Sequence, residues 1–220
     1  MSRDRVLLTN VLAVAVCALV YELLCGTLAS YLLGDAVLQF SLVLGTYLFA
    51  MGAGAWISKR FEPEARSRYV QAEILLAIVG GLSVPALLLA VGAHLPLRPL
   101  LYAVVFVIGA LVGLELPLLV RILRDEGGAS FKDTVARAFA YDYVGALAAS
   151  LLFPLVLVPR LGLVKTSVAT GAVNAVVAIS ATYVLRLERP RAVRGAGAFV
   201  LCALAFAFVR AEGWVVAATD

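Results

Sequence analysis

Seven times along its 220 residues the chain turns apolar for about the 20 residues a helix needs to cross a bilayer. The runs cover roughly 6–33, 37–58, 71–93, 99–123, 138–158, 163–185 and 195–212. A lone apolar run in lipid must satisfy its own backbone groups, so each is expected to be an α-helix; the alternation of a membrane barrel strand is absent. With 63% of residues apolar and only 15% charged, the fold class read here is an all-α, polytopic integral membrane helical bundle of about seven transmembrane helices. It forms a single domain, 1–220, whose first partner is the lipid bilayer. The first run is far longer than the core of a signal peptide and leads straight into further spans, so no cleavable leader is expected.

A net charge of +4 and a pI near 9.1 would suit a nucleic-acid binder, but the cations lie between the apolar runs and not on one face, which argues against nucleic acid. Their placement orients the bundle instead. Arg3 and Arg5, then Lys59, Arg60, Arg66 and Arg68, then Arg121, Arg124, Lys132 and Arg137, then Arg186, Arg189, Arg191 and Arg194 fall on one side. Only Arg98, Arg160, Lys165 and Arg210 fall on the other. The expectation is a multi-pass protein of the cell inner membrane, with a cytoplasmic N-terminus and, after seven crossings, an outer C-terminus. The outer turns GDAVLQ, HLPLRP and PRLGLVK are tight and rich in Gly and Pro, and Asp35 in the first reads as a turn or cap residue. In RDEGGASFKDTVAR, Ser130 and Asp133 stand at cap-like spacing for the helix that follows.

Four carboxylates fall in or beside the spans. An ionisable group there costs several kcal/mol unless paired, hydrated or protonated, so each is a functional-site hypothesis by default. Glu22 lies about 24 Å from Val6, and Glu115 about 12 Å short of the basic end of span four. Glu73 and Asp142 read nearer the basic interface, where Arg68, Arg121 and Arg137 could pair with them. Glu22, Glu115 and Asp142 are the acids assigned to one internal cavity, with Tyr21, Tyr141, Asn174 and Gln39 as its polar companions. The competing reading is structural: acids bonded to Arg121, Tyr21, Tyr141 and Asn174.

Other chemistry finds no residues. The one histidine, His94, sits at an outer turn without a second to share a metal, and Cys17, Cys25 and Cys202 are spread through apolar runs. No catalytic triad, metal set or cofactor loop can be assembled; MGAGAW lacks the third glycine and the strand-to-helix setting of a dinucleotide fingerprint. Gly109 and Gly113 form a GxxxG step that packs helices, within the chain or between copies, so a homo-oligomer stays open.

Weak internal similarity links the acids: ALVYEL at 18–23 against ALVGLEL at 110–116, and YELLCGTLAS at 21–30 against YDYVGALAAS at 141–150. If spans one and four are equivalent members of inverted three-helix repeats, a site is expected at the repeat interface near the midplane. Pro117, two residues past Glu115, could loosen the helix there.

Three longer strings, YELLCGTLASYLLGDAVLQFSLVLGTYLFAMGAGAWISKR (21–60), GLELPLLVRIL (113–123) and RAFAYDYVGALAASLLFPLVLVPRLGLVKT (137–166), resemble the N-terminal multi-span domain of bacterial membrane-bound polyamine aminopropyltransferases, the spermidine-synthase-like proteins. The resemblance implies a soluble partner half, a Rossmann-like domain that moves an aminopropyl group from decarboxylated S-adenosylmethionine to putrescine. That soluble domain has no counterpart in these 220 residues, so no catalytic residue is carried over. The expected function is a membrane module of such a system, anchoring it and binding or passing polyamine through the acidic cavity. The alternatives are a small transporter for an organic cation or proton, and a structural membrane protein without ligand.

Overall fold

The structure, a computed structural model, describes residues 3–126, 131–185, 187 and 190–217. Its helices are α1 (Arg3–Leu33), α2 (Ala36–Ile57), α3 (Ala65–Gly81), α4 (Ser83–Gly92), α5 (Leu97–Glu126), α6 (Phe131–Leu152), α7 (Val158–Val184) and α8 (Pro190–Ala217). A 3-10 segment, Ser58–Glu64, joins α2 to α3, and a π-turn, Phe153–Leu157, joins α6 to α7 at Pro154. No strand occurs among the described residues.

Among the described residues six stretches are long and apolar enough to cross a membrane, and one of them, Val135–Val184, has 50 residues. Straight, it would measure about 75 Å, more than twice the hydrocarbon core. It breaks at Gly162, whose backbone (φ 69°, ψ 177°) lies in the region that a residue without Cβ enters freely. α7 runs back along α1, with the Cys17 thiol donating to the Thr170 carbonyl and the Ser180 hydroxyl to Asn10. α6 instead meets α1 at Gly145, against Leu12 and Ala15, and Phe153 and Val164 from either side of the break join one cluster with Cys25 and Leu28. The stretch is therefore two helices, α6 and α7, that meet at this break and each pack on α1.

Turn chemistry accounts for the ends. Asp35, in the left-handed region at φ 46°, caps α2 by accepting from the Leu38 amide at 3.1 Å. The exposed His94, at φ 53°, turns the chain from α4 into α5. The third crossing bends at Leu82, where the Ser83 hydroxyl donates to the Gly80 carbonyl. α5 continues through Pro117, which has no amide to offer the Gly113 carbonyl. Ser130 lies outside the described residues, while Asp133 falls in the first turn of α6.

The helices pair in a pattern. α2 packs on α5 as α1 packs on α6; α3 packs on α5 as α1 packs on α7; α3 and α7 pack on each other. α2 scarcely meets α3, and α6 scarcely meets α7. Exchanging α1 with α5, α2 with α6 and α3 with α7 leaves this set unchanged, apart from α1 packing closely on α2 while α5 meets α6 lightly. Glycine makes the closest seams possible: a Cβ at Gly113 would stand 2.6 Å from the Met51 Cα on α2, and one at Gly171 would stand 2.7 Å from the Gly81 Cα on α3. The GxxxG step thus faces α2 of the same chain. α8 packs on α7, held near its start by Arg194, which donates to the Thr182 hydroxyl and carbonyl and covers the Tyr183 ring.

One expectation fails on helix length. A span that starts at residue 71, as the apolar run suggests, leaves Glu73 at the interface beside Arg68. In the structure α3 begins at Ala65, two turns earlier, and Glu73 is fully buried. Arg68 pairs with Glu64 at 2.8 Å, and Arg121 donates to the Ser58 carbonyl. Arg66 and Arg68 thus sit inside the first turn of α3 and do not end the span, with the Arg68 guanidinium also over the Phe61 ring.

Candidate functional site

A cavity of about 60 Å³ opens where five helices converge. α1 contributes Val11, Val14, Ala15 and Ala18, α2 Met51, α3 Tyr69, α5 Val112, Glu115, Leu116 and Leu119, and α6 Asp142. The walls are apolar, and small residues on α1 leave the space. Into it project two carboxyl groups and a phenol. The volume equals about two waters' share of liquid.

Glu115 defines the site. It is 2% exposed, and neither carboxyl oxygen has a hydrogen-bond partner among the described residues. Burying a polar group without a partner costs several kcal/mol, more if it is charged, so a fold that retains one does so against its own stability. Asp142 lines the same cavity. Asp142 is half-buried at the cavity's edge.

Beside the cavity, Glu73 accepts from Asn174 Nδ2 at 3.3 Å across the α3–α7 seam, while its second oxygen is unpartnered. Tyr69, one turn before Glu73 on α3, presents its ring to the cavity on the same face. Tyr21 is fully buried, its ring against Gly80 and its hydroxyl unpartnered among the described residues. Glu22 lies one turn beyond Ala18 on the cavity-lining face of α1, about 6 Å further along, and is half-buried. Tyr47 ties α2 to this part of α1: its hydroxyl donates to the carbonyl of Ala18, one turn before Glu22, at 2.9 Å.

Of the residues singled out from sequence, Glu115 and Asp142 line one cavity, with Glu22 and Tyr21 adjoining and Asn174 one residue removed, behind Glu73. Tyr141 is 40% exposed on the outer surface of α6. Gln39 lies at the far end of α2, where it accepts from the Tyr102 hydroxyl at 2.9 Å. Sequence reasoning left Glu73, Tyr69 and Tyr47 out of the site. Spacing could have found Tyr69, four residues before an acid, but nothing local marks Tyr47. A larger cavity of about 480 Å³, a groove between α1 and α7, has mainly Val and Ala walls and no acid. No group of three metal-ligating side chains occurs among the described residues.

Placed against known proteins, the chain is 48% identical over 201 residues to "Polyamine aminopropyltransferase 2" of Ralstonia nicotianae, covering 90% of this chain and 39% of that protein. It is 47% identical over 182 residues to the polyamine aminopropyltransferase of Leptospira interrogans, covering 83% of this chain and 36% of that one. "Polyamine aminopropyltransferase 1" of Streptomyces coelicolor is 40% identical over 218 residues, with coverages of 96% and 41%. The chain thus spans well under half the length of these relatives and matches their N-terminal part. No protein-family model matches it, and no solved structure does.

Proposed function

The chain belongs with the N-terminal part of the polyamine aminopropyltransferase family, and on that premise we propose that it is the membrane module of such a system, holding an amine cation in its acidic cavity. The observation that carries this reading is Glu115, buried with both carboxyl oxygens unpartnered in a cavity it shares with Asp142. An ammonium group supplies what that carboxylate lacks: a counter-charge and three N–H donors. The cavity has room for one ammonium head and little more. The remainder of a polyamine would lie along the edge, where Asp142 and Glu22 are half-buried and can meet the next amine. The soluble aminopropyltransferase half of such a system is the proposed protein partner, anchored by this module. The bundle is placed in the inner membrane with its basic end, bearing Arg5, Lys59, Arg66, Arg121 and Arg194, on the cytoplasmic side, following the bias of Lys and Arg.

Thermal unfolding of the 220-residue chain in detergent tests the reading. Spermidine at a hundredfold excess over its Kd contributes about 2.7 kcal/mol, a rise of several degrees. Glu115→Gln, close to isosteric, is expected to lose most of that rise, and Asp142→Asn part of it. No shift with spermidine, or one unchanged in Glu115→Gln, would refute the site. For Glu73 a structural role is favoured by its bond to Asn174, which already occupies one oxygen.

A further inference from the structure

Glu22 and Glu115 stand in weakly similar strings, ALVYEL and ALVGLEL, which differ by one inserted residue, on α1 and α5. These are helices that exchange places under the pairing pattern of the fold. α1 and α6 cross in one sense, α5 and α2 in the other, so the exchange turns the first three crossings upside down onto the next three. The α3–α7 seam maps onto itself under the exchange; there Ala77, Gly81 and Gly171 touch and the Ser167 hydroxyl donates to the Gly81 carbonyl at 2.6 Å. The cavity sits between the two units, with α1, α2 and α3 lining one side and α5 and α6 the other. Units related this way bracket a site that either face can reach, according to how one unit tilts against the other.

Two features break the symmetry. Glu115 is buried at 2% exposure, while its counterpart Glu22 is half-buried at the edge. α1 packs closely on α2, while α5 touches α6 lightly. Similar strings in unlike surroundings are what one conformer of an exchanging pair would display. An exchanging pair implies a second conformer in which Glu22 would be the enclosed acid, Glu115 the exposed one, α5 would close on α6, and α1 would part from α2.

We propose that the chain translocates the amine cation across the bilayer by alternating access. The two three-crossing units rock about the α3–α7 seam and hand the cation between the level of Glu22 and the level of Glu115. The seam suits a pivot, since small side chains and a hydroxyl shared between carbonyls permit a change of crossing angle without unpacking a large core. The inference rests on the amine-binding reading and adds movement to it.

Counterflow tests it. Liposomes carrying the 220-residue chain and loaded with unlabelled spermidine are placed in labelled spermidine, with binding by the same preparations followed in parallel by thermal shift. The expected result is labelled uptake that depends on the internal load, is lost in both Glu115→Gln and Glu22→Gln, and persists in Gly45→Ala, whose added methyl meets nothing within 4 Å. Spermidine that binds without exchanging would overturn translocation and leave the binding reading standing. Exchange indifferent to both glutamine substitutions would also overturn it, and failure of spermidine to bind would remove both readings.

Discussion

Adding one methyl group at Gly113 probes the α2–α5 seam and the site together. A Cβ there would lie 2.6 Å from the Met51 Cα and 2.7 Å from its carbonyl carbon, and nearer still to the Met51 oxygen. Ordinary contact begins near 3.4 Å, and all three obstacles are backbone, so no side chain can swing away. The helices must separate by most of an ångström over the contact, and overpacking of this kind costs about 1–3 kcal/mol. In a bilayer, where close packing largely replaces the hydrophobic effect as the force between helices, the upper part of that range applies. Alanine's better helix propensity returns up to about 1 kcal/mol. The net expectation for Gly113→Ala is a loss of about 2 kcal/mol, or about 5 °C in thermal unfolding for a chain of this size. Because Glu115 is two residues further on, the same separation widens the cavity and should weaken spermidine binding. Gly45 and Gly52 on α2 are the controls: a Cβ at either meets nothing within 4 Å, so Gly45→Ala and Gly52→Ala should be neutral or slightly stabilising. Circular dichroism of the three variants, heated in one detergent, decides the matter. A Gly113→Ala protein that melts with Gly52→Ala would refute the seam and the depth at which it holds Glu115.

Asn174→Leu removes the donor that Glu73 accepts from across the α3–α7 seam, at an expected cost of about 2–3 kcal/mol in the same melt. Adding Glu73→Leu should recover much of the loss, since replacing both members of a buried polar pair is far cheaper than stranding one. Gln39→Leu strands the Tyr102 hydroxyl at the opposite end of the bundle and should cost about 1 kcal/mol. Arg194→Ala removes both bonds to Thr182 and the contact over Tyr183, so hydrogen exchange should quicken at the start of α8 and remain unchanged in α5.

What could be read from the sequence follows the range of the forces involved. The crossings were legible because transfer of apolar runs into lipid is a local, additive property, and Gly162 and Asp35 were foreseeable as turns because backbone geometry there depends on one or two residues. Glu115 and Asp142 could be singled out because a carboxylate in an apolar run is conspicuous whatever surrounds it. Glu73 escaped because its depth depends on where α3 begins, and the arginines that seem to end a span can lie inside its first turn with their heads at the interface. Tyr141 and Gln39 had the right chemistry, but only helix rotation and packing, set jointly by several helices, decide that one lies on an outer face and the other at a far end. Tyr47 is the converse: one tyrosine in an apolar run carries no local mark, and it meets the turn of α1 before Glu22 only because α2 lies against α1 and its hydroxyl bonds the carbonyl of Ala18. The glycines divide on the same principle. Gly52 and Gly113 stand in similar sequence and differ wholly in what a methyl would strike, so the glycine substitutions test the part of the fold that composition and periodicity leave undetermined.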